Sequence, residues 1–336
     1  MPWCIYCRAE LNNNVPHNDM TASLEHIVSL ALGGTNAFST NDASRKYNND
    51  LGRDIDAPFM NLPLLAMKRH MLGLKGHSGT FPQIEWKMRS TKNGEPGTIT
   101  IDDQGNIDVR FDPVVITNKK AQHTERLVAG SPDRVREILD GMLNATKKKG
   151  EQIYTLSGEK IQSLPDFERH FVVEDTGVLH ASVGFDFVAW VRGIFKIVLG
   201  LGHIILGPNW TFSADGGDRV RSVLFVPPSD WPRSSMQGFT TGRLPTDIAK
   251  LLGISDAIRA QNQHTLAILP GKTPRAVVSL FGGNNIPEAI MSLGSEQGLL
   301  ASPNETMNPA TRVGIRINPV TRDAIWLTVR DLNAAV

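Results

Sequence analysis

Cysteine is scarce in this chain of 336 residues, which has two, Cys4 and Cys7. A secreted domain held together by disulfides needs more than one pair, so the scarcity excludes that class and favours the reducing cytoplasm. The first segment, Met1–Leu11, also lacks the apolar core that a signal peptide requires. We therefore expect a cytoplasmic protein.

A strong net charge is also missing, because 35 Lys and Arg nearly balance 34 Asp and Glu. Composition alone therefore does not indicate a nucleic-acid partner, but the charges are unevenly distributed. Residues 1–60 hold four basic and seven acidic side chains, whereas residues 61–100 hold six and two. An acidic segment suited to a cation thus precedes a basic one suited to a polyanion. Chance clustering on solvated faces explains the numbers equally well.

Long hydrophobic runs are missing with one exception, FDFVAWVRGIFKIVLGLGHIILG, which begins at Phe185. The charges of Asp186, Arg192 and Lys196 within this length argue against a membrane-spanning helix. The run predicts a buried helix instead. Arg192, Lys196 and His203 would form one polar stripe along this helix. Two interpretations of the stripe are open: it contacts a nucleic acid or a signal ligand, or it faces the solvent or another domain.

Composition divides the chain into three predicted domains, 1–60, 61–125 and 126–336. Residues 1–60 are polar and rich in turn residues, and cannot bury much core alone. Residues 61–125 are basic and rich in strand signals, including a hairpin at TITIDDQGNIDVRF. In the last part, SPDRVREILDGMLNATKKKG predicts a helix with Ser131 as N-cap and Pro132 at its first position. Strand pairs follow, so the predicted class is α+β.

Short polar motifs follow one another closely near the N-terminus. They are Cys4-x-x-Cys7, Glu25-His26-Ile27, Leu32-Gly33-Gly34, the asparagines at 36, 41 and 48, and Gly52-x-x-Ile55-Asp56. A neutral histidine at the end of a strand can accept a proton from water. Acidic and amide oxygens suit Mg²⁺, which can bind a phosphodiester oxygen. The motifs therefore indicate the chemistry of phosphodiester hydrolysis.

Local signals place these motifs on a strand at 24–30 and a helix at 42–51. Asn41 or Asp42 would be the N-cap of the helix, and Gly52 would follow its C-terminus. Successive side chains of a regular strand point to opposite faces. Glu25 and His26 can therefore serve one site only if the strand is distorted there, as at a bulge or at its end.

The order and spacing of the motifs resemble the HNH endonuclease family, over roughly the first 60 residues. The match is to a bacterial subgroup with CxxC, an acidic residue plus His, Gly-Gly, a second CxxC followed by Asn, and GxxID. Those motifs stand here as CIYC, EHI, LGG, SRKYN and GRDID. The resemblance implies a small N-terminal ββα-metal module, a hairpin followed by a helix, ahead of a larger α+β domain.

The resemblance also implies roles for individual residues. His26 matches the general base, Glu25 the acidic metal ligand beside it, and Asn48 the second metal ligand, on the helix. The asparagine that orients the base matches Asn41 or Asn36, and we favour Asn41 because it lies nearer the helix.

One motif departs from the subgroup, because Ser44-Arg45-Lys46-Tyr47 stands where the second CxxC is expected. A structural zinc needs four ligands, and Cys4 and Cys7 supply two. No spacing supports His17 or His70 as a replacement. We expect a degenerate half-site without structural zinc, in which aromatic packing takes the place of the metal: Tyr6, Tyr47 and Phe59.

The sequence therefore predicts an endonuclease that uses Mg²⁺ or Mn²⁺ and cuts DNA in preference to RNA, without a membrane partner. Lys68, Arg69 and Lys75 are candidate contacts to the nucleic-acid backbone. The C-terminal domain is expected to position substrate, regulate the enzyme or assemble it into a homo-oligomer. Two alternatives stay open: a catalytically silent nucleic-acid-binding protein, and an effector nuclease gated by a ligand or partner.

Overall fold

The computed structural model describes residues 2–12, 18–76, 79–92, 94–120, 124–155, 157–172, 179–181, 184–271, 273–294 and 310–333. Helices and antiparallel sheets are both present, which confirms the α+β class. The chain forms two compact units. The first joins Met1–Pro82 to Phe185–Val336, and the second is Gln83–Gly184.

The strands and helices have the following bounds. In chain order, the strands are β1 (Ala22–His26), β2 (Ser39–Ser44), β3 (Ile84–Ser90), β4 (Pro96–Ile101), β5 (Ile107–Phe111), β6 (Val114–Lys119), β7 (Thr124–Ala129), β8 (Ile153–Tyr154), β9 (Lys160–Ile161), β10 (Leu179–Ala181), β11 (Thr240–Gly242), β12 (His264–Leu269), β13 (Arg275–Ser279), β14 (Glu288–Ser292), β15 (Arg312–Ile317) and β16 (Ala324–Thr328). The α-helices are α1 (Arg45–Leu51), α2 (Ala57–Met60), α3 (Pro63–Met71), α4 (Pro132–Lys149), α5 (Leu164–Glu168), α6 (Phe187–Leu206), α7 (Pro208–Thr211), α8 (Arg219–Phe225), α9 (Arg233–Met236), α10 (Thr246–Leu251), α11 (Asp256–Ala260) and α12 (Val329–Asn333).

The second unit contains a four-stranded antiparallel sheet in the order β10-β3-β4-β5, two hairpins, and the helices α4 and α5. The predicted hairpin is confirmed, because β4 pairs with β5 in register. The predicted helix is confirmed as α4, which begins at Pro132 after Ser131. It ends where Gly150 adopts φ +68°, a left-handed conformation that glycine takes at little cost.

A six-stranded antiparallel sheet forms the centre of the first unit, in the order β11-β14-β13-β12-β15-β16. Every residue of β12 is buried. Leu266 and Ile268 belong to one apolar cluster, and Ala267 and Leu269 to another, as the alternation of side chains requires. Helices therefore cover both faces: α6 packs on one, while α10 and α12 contribute to the cluster on the other.

Helix α6 is the buried helix that the apolar run predicts, and it joins the N-terminal residues to the sheet. Two glycines of α6 allow N-terminal side chains to pack directly against the helix backbone. A Cβ on Gly193 would lie 2.2 Å from the ring of Phe59, and a Cβ on Gly200 would lie 2.3 Å from Ile27. Residues from 1–60 and from 185–336 thus share one core. The boundaries of the compact units therefore differ from those of the predicted domains.

Helix α6 is also the one helix in the described ranges that is long and apolar enough to cross a membrane. Most of its apolar window, 72%, is buried inside the first unit. A helix in a protein core passes the same test of length and composition.

The N-terminal elements follow the order β1, β2, α1, with β1 and β2 antiparallel. Helix α1 starts later than predicted, because Asn41 and Asp42 extend β2 and Ser44 is the N-cap, accepting from Tyr47 N. Gly52 does not end the helical path, since it begins a π-helical turn at Gly52–Asp56 that leads into α2. Strand β1 ends at His26, before a 3₁₀ turn at Leu30–Leu32.

Candidate active site

His26 lies at the end of β1 with its imidazole half-buried. Its Nε2 lies 2.7 Å from Oδ1 of Asn36. Because an amide oxygen can only accept, Nε2 carries the proton in this pair. The second ring nitrogen, Nδ1, is then the basic atom of the neutral imidazole.

The Gly-Gly turn places Asn36 in front of the imidazole. Gly33 closes the preceding 3₁₀ turn with φ +84°, and a Cβ there would lie 2.3 Å from Pro319 O. A Cβ on Gly34 would lie 1.8 Å from Val28 O. Only glycine fits this path, which leads directly into a second 3₁₀ turn that begins at Asn36 and is capped by Thr35.

The expectation that Asn41 orients the base is corrected, since Asn36 contacts His26. Asn41 lies within β2 with its side chain exposed to solvent. Its nearness to the helix in sequence suggested the wrong partner, because the hydrogen bond of the His26 ring is made to Asn36.

Asn48 lies on α1 and is fixed against β1. Its Nδ2 donates to Ser23 Oγ and to Leu24 O, at 3.0 Å each. The backbone carbonyl can only accept, so these bonds determine which amide atom faces the strand. In the described part of the chain no group donates to Oδ1 of Asn48, which leaves it available as a hard oxygen ligand.

Glu25 faces the interior, unlike its neighbour His26. The register of β1 against β2 shifts between Ser23 and Glu25, ahead of the pair, whereas Glu25 and His26 themselves pair regularly with Thr40 and Ser39. The two side chains therefore point to opposite faces of the strand, and Glu25 is 2% exposed. Tyr6 Oη donates to its Oε1 at 2.9 Å, and Lys196 Nζ lies 2.7 Å from the same oxygen. No donor in the described ranges reaches Oε2.

Lys196 of α6 also contacts Asp56, with Nζ 2.5 Å from Oδ2. Burial alone would lower the pKa of Lys196, but the carboxylates of Asp56 and Glu25 raise it above its usual value. Burial raises the pKa of Asp56, which Lys196 opposes. Burial and the negative charge of Glu25 likewise raise the pKa of Tyr6 well above its usual value. The ammonium of Lys196 thus binds both carboxylates on the buried face of β1.

The polar stripe of α6 faces a neighbouring part of the same unit, which is one of the alternatives that the sequence leaves open. Arg192 Nη2 donates to Val226 O at 2.7 Å. His203 Nε2 lies 2.9 Å from Asp42 Oδ2 of β2. Lys196 and His203 thus attach the N-terminal hairpin to α6, through Glu25 of β1 and Asp42 of β2.

Two of the three predicted backbone contacts are buried, and the expectation for them is corrected. Lys68 and Arg69 are 4% and 5% exposed, and burial lowers the pKa of both. Lys68 Nζ donates to Asn262 Oδ1 at 2.9 Å. Both lie on the buried face of α3, so neither is presented to a phosphate. Lys75 is exposed, with its ammonium 5.1 Å from the ring centroid of Phe81.

The half-site at Cys4 contacts the residue that replaces a cysteine of the second pair. Cys4 is fully buried, and its Sγ lies 3.6 Å from Ser44 Oγ and accepts from Ser44 N at 3.3 Å. Burial raises the pKa of the Cys7 thiol. Both cysteines are free thiols.

One of the two histidines considered for this half-site has another partner, since His70 Nε2 bonds to Pro82 O at 2.7 Å. The other, His17, lies outside the described residues. The three aromatic side chains expected to replace the metal all contribute to the first apolar cluster: Tyr6, Tyr47 and Phe59.

The two metal ligands that the resemblance implies are both oxygen ligands of elements near the N-terminus, Glu25 of β1 and Asn48 of α1. No group of three or more His, Cys, Asp or Glu side chains within the described ranges is arranged to hold a metal ion. Glu25 Oε2 and Asn48 Oδ1 receive no hydrogen bond from those ranges, and both are hard ligands of the kind that Mg²⁺ prefers. Two protein oxygens fit an ion that keeps most of its waters.

Sequence reasoning missed Lys196 as a partner of the motif. A lysine within an apolar helix is a signal that a buried carboxylate faces it, since a buried charge needs a partner. The sequence offers no means of choosing Glu25 and Asp56 among its acidic residues.

Comparisons of this chain with known protein families, with curated proteins and with solved structures found no match.

Proposed function

We propose that the chain hydrolyses phosphodiester bonds of nucleic acid as an HNH-type endonuclease, with His26 as the general base. The observation that carries the proposal is the 2.7 Å contact between His26 Nε2 and Asn36 Oδ1. It fixes a half-buried imidazole through Nε2, and no hydrogen bond within the described ranges engages Nδ1, which suits proton abstraction from water.

In the proposed reaction, His26 Nδ1 takes a proton from the attacking water and becomes part of an imidazolium. Asn36 Oδ1 keeps accepting from Nε2–H throughout, so the ring holds its orientation while its charge changes. The new bond joins the water oxygen to phosphorus, and the bond from phosphorus to the 3′ oxygen breaks. The 5′-phosphate product follows from the HNH resemblance.

Glu25 Oε2 and Asn48 Oδ1 are the proposed ligands of Mg²⁺, or of Mn²⁺. When bound, such an ion neutralises charge on the phosphate and stabilises the leaving alkoxide. Glu25 would serve through the oxygen that Tyr6 and Lys196 leave unoccupied. A structural zinc is not part of the proposal, because Ser44 and Tyr47 stand where its remaining ligands would be.

The proposed substrate is DNA in preference to RNA, held by its backbone, and the proposed location is the cytoplasm. Lys75 is the one exposed member of the three predicted backbone contacts. Assembly through the C-terminal part of the first unit and control by a ligand or partner remain proposals as well.

A second candidate is a nucleic-acid-binding protein without activity, and Glu25 favours it. The carboxylate is 2% exposed and one of its oxygens is bound by Lys196, so it is less open than a typical metal ligand. The contact between His26 and Asn36 favours the enzyme, because a binding protein has no need of an oriented base.

Plasmid nicking in the presence of Mg²⁺ separates the two candidates. We expect the full chain to nick supercoiled DNA, EDTA to stop it, and His26→Ala to lower the rate by roughly 10²–10⁴-fold, the usual contribution of a general base. Equal rates for His26→Ala and the wild type would exclude the enzyme, as would the absence of nicking with either Mg²⁺ or Mn²⁺.

A further inference from the structure

A pocket of about 650 Å³ opens beside α9 in the first unit. This volume lies within the usual range of small-ligand pockets, roughly 300–1,000 Å³. Its lining combines apolar and polar side chains: Pro228, Trp231, Arg233, Ser234, Met236 and Gln237.

Trp231 gives the pocket an aromatic wall of fixed orientation. Its Nε1 donates to Val226 O at 3.2 Å, so the one polar atom of the indole already has a partner. The ring is partly buried against the apolar cluster, as is Met236. A ring held in this way loses little conformational freedom when a flat ligand stacks on it.

Arg233 supplies a positive charge at the rim. The residue is exposed, and no carboxylate in the described ranges pairs with its guanidinium. The acidic residue nearest in sequence, Asp230, accepts from Ser229 Oγ at 3.0 Å. An unpaired guanidinium beside an aromatic wall matches a ligand that joins a flat ring to an anion.

Further aromatic side chains connect the pocket to the helix that carries Asn48. Phe225 ends α8 just before Val226 and is 45% exposed. It meets Tyr47 of α1 edge-on, with ring centroids 5.8 Å apart. Tyr47 directly precedes Asn48 in α1, and the pocket and the candidate active site both belong to the first unit.

We propose that this pocket binds an unpaired base of single-stranded nucleic acid, stacked on Trp231 with an adjacent phosphate held by Arg233. Base–aromatic stacking next to a cation is how single strands are bound without sequence preference. The inference rests on the proposed nuclease function and names its substrate class, a strand with unpaired bases near the cut.

The test measures binding of a fluorescent oligothymidylate and of a fluorescent hairpin duplex to the full chain, in a His26→Ala background that prevents cutting. We expect Trp231→Leu to weaken binding of the single strand by about 5- to 100-fold, the effect of losing one stack. Trp3→Leu is the control, since Trp3 is a tryptophan at the surface, 49% exposed, that does not line the pocket. It should leave affinity unchanged.

Arg233→Gln keeps the test decisive if Trp231→Leu fails to fold, because Arg233 lies at the surface. We expect it to weaken binding and to reduce its dependence on salt. Unchanged affinity in both variants overturns the inference, as does an equal loss for single strand and duplex. If the wild type cuts DNA but neither substitution changes binding, this inference alone is overturned. If Trp231→Leu weakens binding of the single strand but the wild type never cuts, only the nuclease proposal is overturned.

Discussion

Lys196 places a positive charge in the apolar interior of α6 and directs it at the carboxylates of Glu25 and Asp56. The arrangement is stable only as a set, because removing one partner leaves the others buried without compensation. It also ties β1, and with it the backbone that carries His26, to the 20-residue helix α6.

We therefore predict that Lys196→Met destabilises the protein by about 3–5 kcal/mol, the usual result of breaking a buried ion pair. Urea unfolding measures the change. Lys46→Met is the matched control, since Lys46 pairs with Asp50 at the surface, and we expect it to cost less than about 1 kcal/mol. Similar small losses in both variants would contradict this reading of the buried cluster.

His264 is a fully buried histidine that holds the Gly-Gly turn to the sheet. Its Nδ1 accepts from Phe281 N at 3.0 Å, and its Nε2 lies 2.8 Å from Leu32 O. Burial lowers the pKa of His264 from 6.5 to about 4. The ring is neutral in the folded protein and takes up a proton more readily in the unfolded chain.

The stability that His264 contributes is therefore complete above about pH 6.5 and is lost as the pH falls towards 4, by roughly 3 kcal/mol in total. Urea unfolding at several pH values across this window should show the loss in the wild type. His264→Gln removes the titrating group, so the variant should lose less stability over the same window. An identical pH dependence in both proteins would count against the prediction.

At the scale of elements, the close packing of α6 depends on glycine. Alanine is normally the better helix residue, by about 1 kcal/mol. At Gly193, however, a Cβ would meet the buried ring of Phe59 at 2.2 Å. We predict that Gly193→Ala destabilises the protein by about 1–3 kcal/mol, as overpacking does.

Gly141→Ala in α4 is the control for Gly193→Ala, because nothing lies within 4 Å of its Cβ position. Thermal and urea unfolding should show a gain of about 0.5–1 kcal/mol for this variant. If Gly193→Ala were also stabilising, α6 would not pack on Phe59 as described.

Elements with strong local signals could be predicted from the sequence. A turn sequence marks the β4–β5 hairpin, an N-cap followed by proline marks α4, and a long apolar run marks α6. All three predictions are confirmed. The start of α1 could not be predicted, because Asn41 and Asp42 are good capping residues that lie within β2 instead. Pairing between strands is a longer-range effect and overrides the local preference.

At the scale of the whole molecule, the first unit is discontinuous in sequence. Phe38 and Phe59 belong to the same apolar cluster as Trp190 and Phe195 of α6. We predict that a fragment of residues 1–125 does not fold its first part, because α6 and the sheet are missing from it. Circular dichroism and the dispersion of amide resonances measure this, and native-like dispersion from the N-terminal residues would contradict it.

The candidate site illustrates the same limit. His26 and Asn48 could be selected from motifs that lie within one short stretch, and Asn36 was one of two candidates to orient the base. Lys196 could not be assigned to Glu25, because that contact exists only after a distant helix has packed against β1. Lys68 and Arg69 carry charge in the sequence, but their burial depends on the packing of α3.

We propose that Asn36, and not Asn41, orients His26 for phosphodiester hydrolysis, because Asn36 contacts the ring. The most direct test is the plasmid-cleavage rate of the full chain with Mg²⁺ for the wild type, Asn36→Ala and Asn41→Ala. We expect Asn36→Ala to be slower by roughly a hundredfold, as for a catalytic group displaced by about 1 Å, and Asn41→Ala to match the wild type. A slow Asn41→Ala beside an unimpaired Asn36→Ala would contradict the account.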